Sequence, residues 1–219
     1  MKNLLLLFCS LLVIACDKTS SKEKLLIEYM VPELKEGVYY RSHKLNQNFT
    51  FIFKNELKKI DDRNWILEII YMDKDSVPFQ ISKERYCGSD SIVNEYLAEI
   101  RIENGVAKEY ELVDISNYSS NFKPEELTKV VRLVKYSDKT SEIHSQVSLN
   151  YGSIDTLGVR IKEGLHVSSL DSTVVTSADS VFIRKYKSDV FYTFKKGFED
   201  LKLSWFPEEK YSKESFNKK

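Results

Sequence analysis

Ile143-His144-Ser145-Gln146-Val147-Ser148-Leu149-Asn150-Tyr151 is the stretch from which the fold is read. Ile143, Val147, Leu149 and Tyr151 fall on one side of an extended chain, and His144, Gln146, Ser148 and Asn150 on the other. Side chains of a strand alternate with a period of two, so the segment reads as a strand with one dry and one wet face. Phe49-Thr50-Phe51-Ile52-Phe53 repeats the pattern, with three Phe on one face. Residues 65–72 are apolar except for Glu68, as in a strand buried on both faces. The period of two dominates from residue 25 to residue 207.

Three hairpins are expected. Residues 96–102 and 106–113 flank Glu103-Asn104-Gly105. A two-residue Asn-Gly turn would put Ile100 and Ile102 on one face with Glu109 and Glu111. A three-residue loop groups Tyr96, Ile100, Ile102, Val106, Tyr110 and Leu112 instead, and is preferred, with Gly105 left-handed. By the same logic Lys162-Glu163-Gly164 forms a loop and sets Arg160 against His166 in solvent. Lys187-Ser188-Asp189 forms the third loop.

Pro124, Glu125 and Glu126, then Leu127, Val130, Val131 and Val134 at helical spacing, predict a helix near 124–135. The run 130–134 also reads as a strand. Short loops favour antiparallel neighbours. The fold class is therefore mainly β: an antiparallel meander forming a strongly curved sheet or a barrel, with one helix packed on it. Its aromatic residues either line a cavity or form a two-sided core.

The chain has 219 residues, 42% hydrophobic and 12% aromatic, enough for a core and too many aromatics for disorder. Thirty-three basic and 33 acidic residues cancel, so the basic footprint of a nucleic-acid binder is missing. Met1-Lys2-Asn3 precedes an uncharged apolar run from Leu4 to Ala15. A cation followed by such a run is the pattern of a secretory signal. Twelve helical residues reach about 18 Å, short of the ~30 Å hydrocarbon core.

The run ends Val13-Ile14-Ala15-Cys16, which resembles the lipobox of bacterial lipoproteins. Ile14 is larger than the Ser or Ala commonest there. The resemblance covers residues 1–16 and implies cleavage before Cys16 and acylation of its thiol and new amino group. It implies a bilayer as partner, through acylated Cys16, and a place in the cell envelope outside the cytoplasm. More than one acyl chain makes such anchoring stable. Residues 1–15 are then signal peptide, 16–24 a polar tether with a reach of about 15 Å, 25–207 a single β-rich domain, and 208–219 a charged tail. Cys87 is left without a disulfide partner, so packing must supply the stability.

Chemistry-bearing motifs are sparse. His43, His144 and His166 sit on expected strands among polar neighbours, and no zinc-ligand spacing occurs. The Cys87 thiol lacks an evident base. Asp73-Lys74-Asp75 and Asp61-Asp62-Arg63-Asn64 read as turns. No phosphate loop, dinucleotide fingerprint or nucleophile elbow is present, so no cofactor, metal or catalytic residue is expected. Asp followed by Ser or Thr and then an aliphatic residue or Thr occurs five times, with hydroxyls at Ser76, Ser91, Thr156, Ser172 and Ser180. The triplet resembles an O-glycosylation sequon of exported bacterial proteins; strands that begin just after turns give the same excess.

The expected function is that of a non-enzymatic, membrane-anchored envelope lipoprotein binding a partner protein or an apolar ligand. A lipid-anchored immunity or inhibitor protein and an envelope hydrolase are the alternatives.

Overall fold

The computed structural model describes residues 23–46, 49–116, 121–156 and 159–216; the side chains of 45, 46, 49, 153–156 and 159–162 are outside that description. The signal segment, Cys16 and most of the tether also lie outside it. A short helix α1 (Ile27–Met30) opens the fold. Six strands follow as an antiparallel meander: β1 (Gly37–Asn46), β2 (Phe49–Lys59), β3 (Asn64–Met72), β4 (Pro78–Cys87), β5 (Ser91–Glu103) and β6 (Val106–Glu111). After β7 (Val113–Asp114) and β8 (Asn121–Phe122) a second meander runs β9 (Leu127–Lys135), β10 (Thr140–Thr156), β11 (Val159–Thr176), β12 (Ser180–Thr193) and β13 (Gly197–Trp205). β7 joins the edge of the second sheet at β9, and β8 pairs with β5 of the first. β14 (Glu209–Ser212) pairs with β12, and α2 (Lys213–Phe216) ends the described chain, so much of the charged tail lies against the second sheet.

The mainly β, antiparallel fold class is what the structure shows, with the meander doubled into two sheets that do not close into a barrel. The core lies between them. Leu57, Trp65, Leu67 and Tyr86 of the first sheet cluster with Leu149 and Leu165 of the second, and residues 25–31 plug one end. Leu25 N–H donates to Glu28 Oε2 at 2.9 Å, and Leu26 N–H to the Gly88 carbonyl at 2.9 Å, which ties α1 to the β4–β5 turn. Ile143, Val147, Leu149 and Tyr151 share a face of β10 as expected; Leu149 is buried, and His144, Gln146 and Asn150 are exposed opposite it.

Four local readings are corrected. The expected helix near 124–135 is strand β9, paired with β10 from Leu127↔Ser148 to Lys135↔Thr140. β-branched Val130, Val131 and Val134 suit a pleated surface, and pairing outweighs the helix-start signal. Pro124 makes a bridge to Leu149, and Glu125 turns with φ 62°. The second correction is the 103–105 loop. Glu103 pairs with Val106, leaving Asn104 and Gly105 as a two-residue turn with φ 54° and 78°. Positive φ at both central residues defines the turn whose twist matches a hairpin. The awkward face is tolerated because Ile102 and Val106 protrude into solvent at the hairpin tip, while Tyr110 is buried against Tyr136 at 5.0 Å.

Lys162-Glu163-Gly164 lies within β11, because Thr156 pairs with Val159 and Gly152 with Gly164. Arg160 therefore stands opposite Asp155, and His166 opposite Asn150. Lys187-Ser188-Asp189 lies within β12, paired on both sides. Its charges are not turn formers. Lys187 Nζ meets Asp189 at 3.1 Å, and Asp189 accepts from His166 on the neighbouring strand at 2.9 Å.

Candidate functional site

The strand registers assemble the inner wall of the first sheet. Arg41 of β1 stands opposite Phe53 of β2, Phe53 opposite Tyr71 of β3, and Tyr71 opposite Gln80 of β4. Two residue pairs along, on the same face, His43 stands opposite Phe51. Directly opposed residues share a face, so these side chains converge on the space between the sheets. Phe198, at the start of β13, closes the other side. Its ring centroid is 4.5 Å from His43 and 6.3 Å from Phe53. Phe79 completes the aromatic wall, 5.8 Å from Phe51.

Together these residues line a cavity of about 360 Å³. Ligand sites are commonly concave, of roughly 300–1,000 Å³, mostly apolar with a few placed polar groups. The aromatic residues thus divide between core and cavity: Tyr29, Trp65 and Tyr86 are buried in the core, while Phe51, Phe53, Phe79 and Phe198 face open space. Arg41, His43 and Lys196 supply the ionisable groups of the wall. The cavity's tyrosines are held in their neutral form. Burial pushes the Tyr71 and Tyr192 hydroxyls well above their ordinary range; outside the cavity lining it also raises Tyr39, beside Arg41, to about 12.

A second cavity of about 260 Å³ adjoins the first and shares Met30, Tyr71, Gln80 and Tyr192 with it. Its wall is polar. The Ser145 hydroxyl donates to Asp171 Oδ1, and the Ser169 hydroxyl to Asp171 Oδ2 at 2.7 Å. Ser169 also meets Ser188 at 2.8 Å. From the first sheet comes Glu84, whose carboxylate accepts from the Tyr86 hydroxyl. Burial raises the Glu84 pKa against the opposing pull of Tyr86 and Arg132. Burial likewise lowers that of Arg132, whose Nη2 has no hydrogen-bond partner among the described residues.

Of the candidate residues singled out in the sequence, His43 lines the first cavity; the others do not assemble there. Cys16 and the Thr156 side chain lie outside the described residues. Ser76 is exposed in a turn with φ 62°, and Ser180 opens β12. Ser91 opens β5 but is buried, and Ser172 is half-buried in mid-β11. Asp171, which precedes Ser172, is a buried acceptor of the second cavity and marks no turn. The other turn readings hold: Asp73 Oδ1 accepts the Asp75 and Val77 N–H groups, and Asp61 Oδ1 those of Arg63 and Asn64. His144 bonds Glu142 at 2.6 Å, and His166 stacks on Phe191 at 4.7 Å. Among the described residues no hydrogen bond joins Cys87 to a base, and no three His, Cys, Asp or Glu side chains are grouped to hold a metal. No described helix is long and apolar enough to cross a membrane.

Arg41, Glu84, Arg132 and Asp171 escaped the sequence reading. Their one signal was parity. Arg41 alternates with Tyr39 and His43, Glu84 with Ser82 and Tyr86, and Asp171 with Ser169 and Thr173. Compared with known proteins, the chain matches no family model, no curated protein and no solved structure.

Proposed function

We propose that the chain is a non-enzymatic cell-envelope lipoprotein, anchored through acylated Cys16, that holds an apolar ligand in the cleft between its two sheets. The observation that carries the ligand half of this reading is the aromatic-walled cavity of about 360 Å³. Phe53, Phe79 and Phe198 at the cavity wall make fewer of the dispersion contacts a close-packed interior provides. An apolar occupant restores them. The anchoring half rests on Val13-Ile14-Ala15-Cys16. At the N-terminal end of the described residues Glu23 accepts from Arg63 at 2.7 Å and Lys24 pairs with Glu163 at 3.1 Å.

The test is native mass spectrometry of the full-length protein released gently from membranes. The expected result is the acylated chain carrying an additional mass that extracts into organic solvent. A chain with its acyl groups and nothing else, across preparations from different growth conditions, refutes the ligand reading. A chain without acyl mass refutes the anchor.

A further inference from the structure

We propose that the ligand of the larger cavity is a single-chain amphiphile with a carboxylate head, and that Arg41 holds the head. The inference rests on the cleft reading above and adds the chemistry of what fills it. The wall of this cavity contains two cationic side chains, Arg41 and Lys196, with His43 beside them, and no carboxylate among its described residues. A cavity whose wall is mostly apolar and carries cations but no carboxylate is complementary to a molecule with an apolar body and one negative end.

Arg41 is the better placed cation. Its Nε is buried and has no hydrogen-bond partner among the described residues, and no ion pair joins it to a described carboxylate. A guanidinium that lines a cavity with no carboxylate in its lining has a charge that the described chain leaves uncompensated there. A guanidinium offers its N–H groups as a planar fork that matches a carboxylate with two parallel hydrogen bonds. Its position is constrained from two sides. The Tyr39 ring lies 5.9 Å from the guanidinium carbon, and Gly197 packs against it so closely that a Cβ there would lie 2.8 Å from Nη1. Gly197 has φ +83°, which glycine adopts without strain, so the sequence has left room for the guanidinium at that point.

The adjoining cavity is the contrary case. It has Glu84 and Asp171 against the single cation Arg132, and Asp171 already accepts from two serines. An anionic head is disfavoured there. The apolar body of the ligand then lies along Phe51, Phe53, Phe79 and Phe198, with its head at Arg41.

The experiment uses the full chain in nonionic micelles. Laurate, dodecanol and acetate are titrated separately by calorimetry, with partition into protein-free micelles subtracted. Laurate is expected to bind about tenfold or more tightly than dodecanol, as for a charge-assisted pair, and acetate not measurably. Arg41→Gln should bring laurate to the dodecanol level and leave dodecanol within about twofold of its original affinity. If that variant does not fold, Lys196→Gln, an exposed position, should weaken laurate two- to threefold and leave dodecanol unchanged. Equal binding of laurate and dodecanol to the unaltered chain overturns the head-group assignment and leaves the cleft reading standing. Full laurate preference in Arg41→Gln overturns the role of Arg41. Binding of neither amphiphile overturns both inferences.

Discussion

Replacing Glu84 by Gln tests whether the cleft holds this carboxyl in its neutral form. Glu84 lines the second cavity, with the Tyr86 hydroxyl donating to it and Arg132 in the same lining. Tyr86 and Arg132 both favour the anion, but loss of hydration is the larger effect and raises the folded pKa. An unfolded Glu titrates near 4.3. Between that value and the higher folded one, the native state binds the extra proton. The stability Glu84 contributes is therefore fully present below about pH 4.3 and is lost as pH rises through the folded pKa. For one proton the loss has a limiting slope of about 1.4 kcal/mol per pH unit. Gln keeps an oxygen to accept from Tyr86 and does not titrate. The assay is urea unfolding of both proteins at four pH values between 4 and 8. The stability of Glu84→Gln relative to the unaltered chain should rise with pH, at up to that slope, and then level off. Any constant offset from the lost Arg132 attraction leaves the slope intact. A relative stability that falls with pH would show that Arg132 and Tyr86 hold Glu84 as an anion, and would refute the argument from burial.

Other outcomes follow from single contacts. Leu165→Ala, at a residue with 0% exposure between the sheets, should lower stability by about 2–5 kcal/mol, read as a shifted urea midpoint at unchanged m. Gly105→Val, at φ 78° in the Asn104-Gly105 turn, should cost about 1–2 kcal/mol because a β-branched residue strains in the left-handed region; a neutral effect would mean the turn relaxes to another type. Cys16→Ala should leave an unprocessed precursor without acyl mass, while the unaltered chain is cleaved and partitions into detergent, seen by gel mobility, mass and phase separation. Normal cleavage and release of that variant would remove the anchor.

The fold class was legible because period-two alternation is a local property. Residues 143–151 carry it without help from the rest of the chain. What failed was punctuation. Lys162-Glu163-Gly164 and Lys187-Ser188-Asp189 look like loops, since charge and glycine usually mark chain reversals. In the structure they lie inside strands 18 and 14 residues long, longer than the usual strand. Conversely, Asn104-Gly105 was the plain turn signal, and it was overruled to keep Ile100 and Ile102 away from Glu109. The hairpin instead leaves Ile102 54% exposed, because two positive-φ residues fix the register more firmly than one tip isoleucine opposes it. The helix expected at 124–135 failed on the same scale: spacing at 127, 130, 131 and 134 fits a helix, but the β-branched side chains and the long partner strand β10 favour pairing.

The cleft was illegible for a deeper reason. Arg41, Phe53 and Tyr71 form one row across three strands, and their adjacency depends on two registers, each of which would invert the face if slipped by one residue. Alternation says that these side chains point the same way as their neighbours two along; it does not say which face is inside. The same limit applies to the aromatics. Phe53 and Tyr86 are equivalent as residues on β-strands, yet Tyr86 is fully buried and Phe53 stands at a cavity. The difference comes from what the second sheet places opposite them. Position 197 is glycine, and with the Phe198 ring beside it this leaves a space with a guanidinium at its wall. A bulkier residue at 197 would displace that guanidinium. The chemistry of the cleft thus resides in pairs of residues more than a hundred positions apart, Arg41 with Gly197 and Phe53 with Phe198. It is at those pairs that substitution should separate ligand binding from folding.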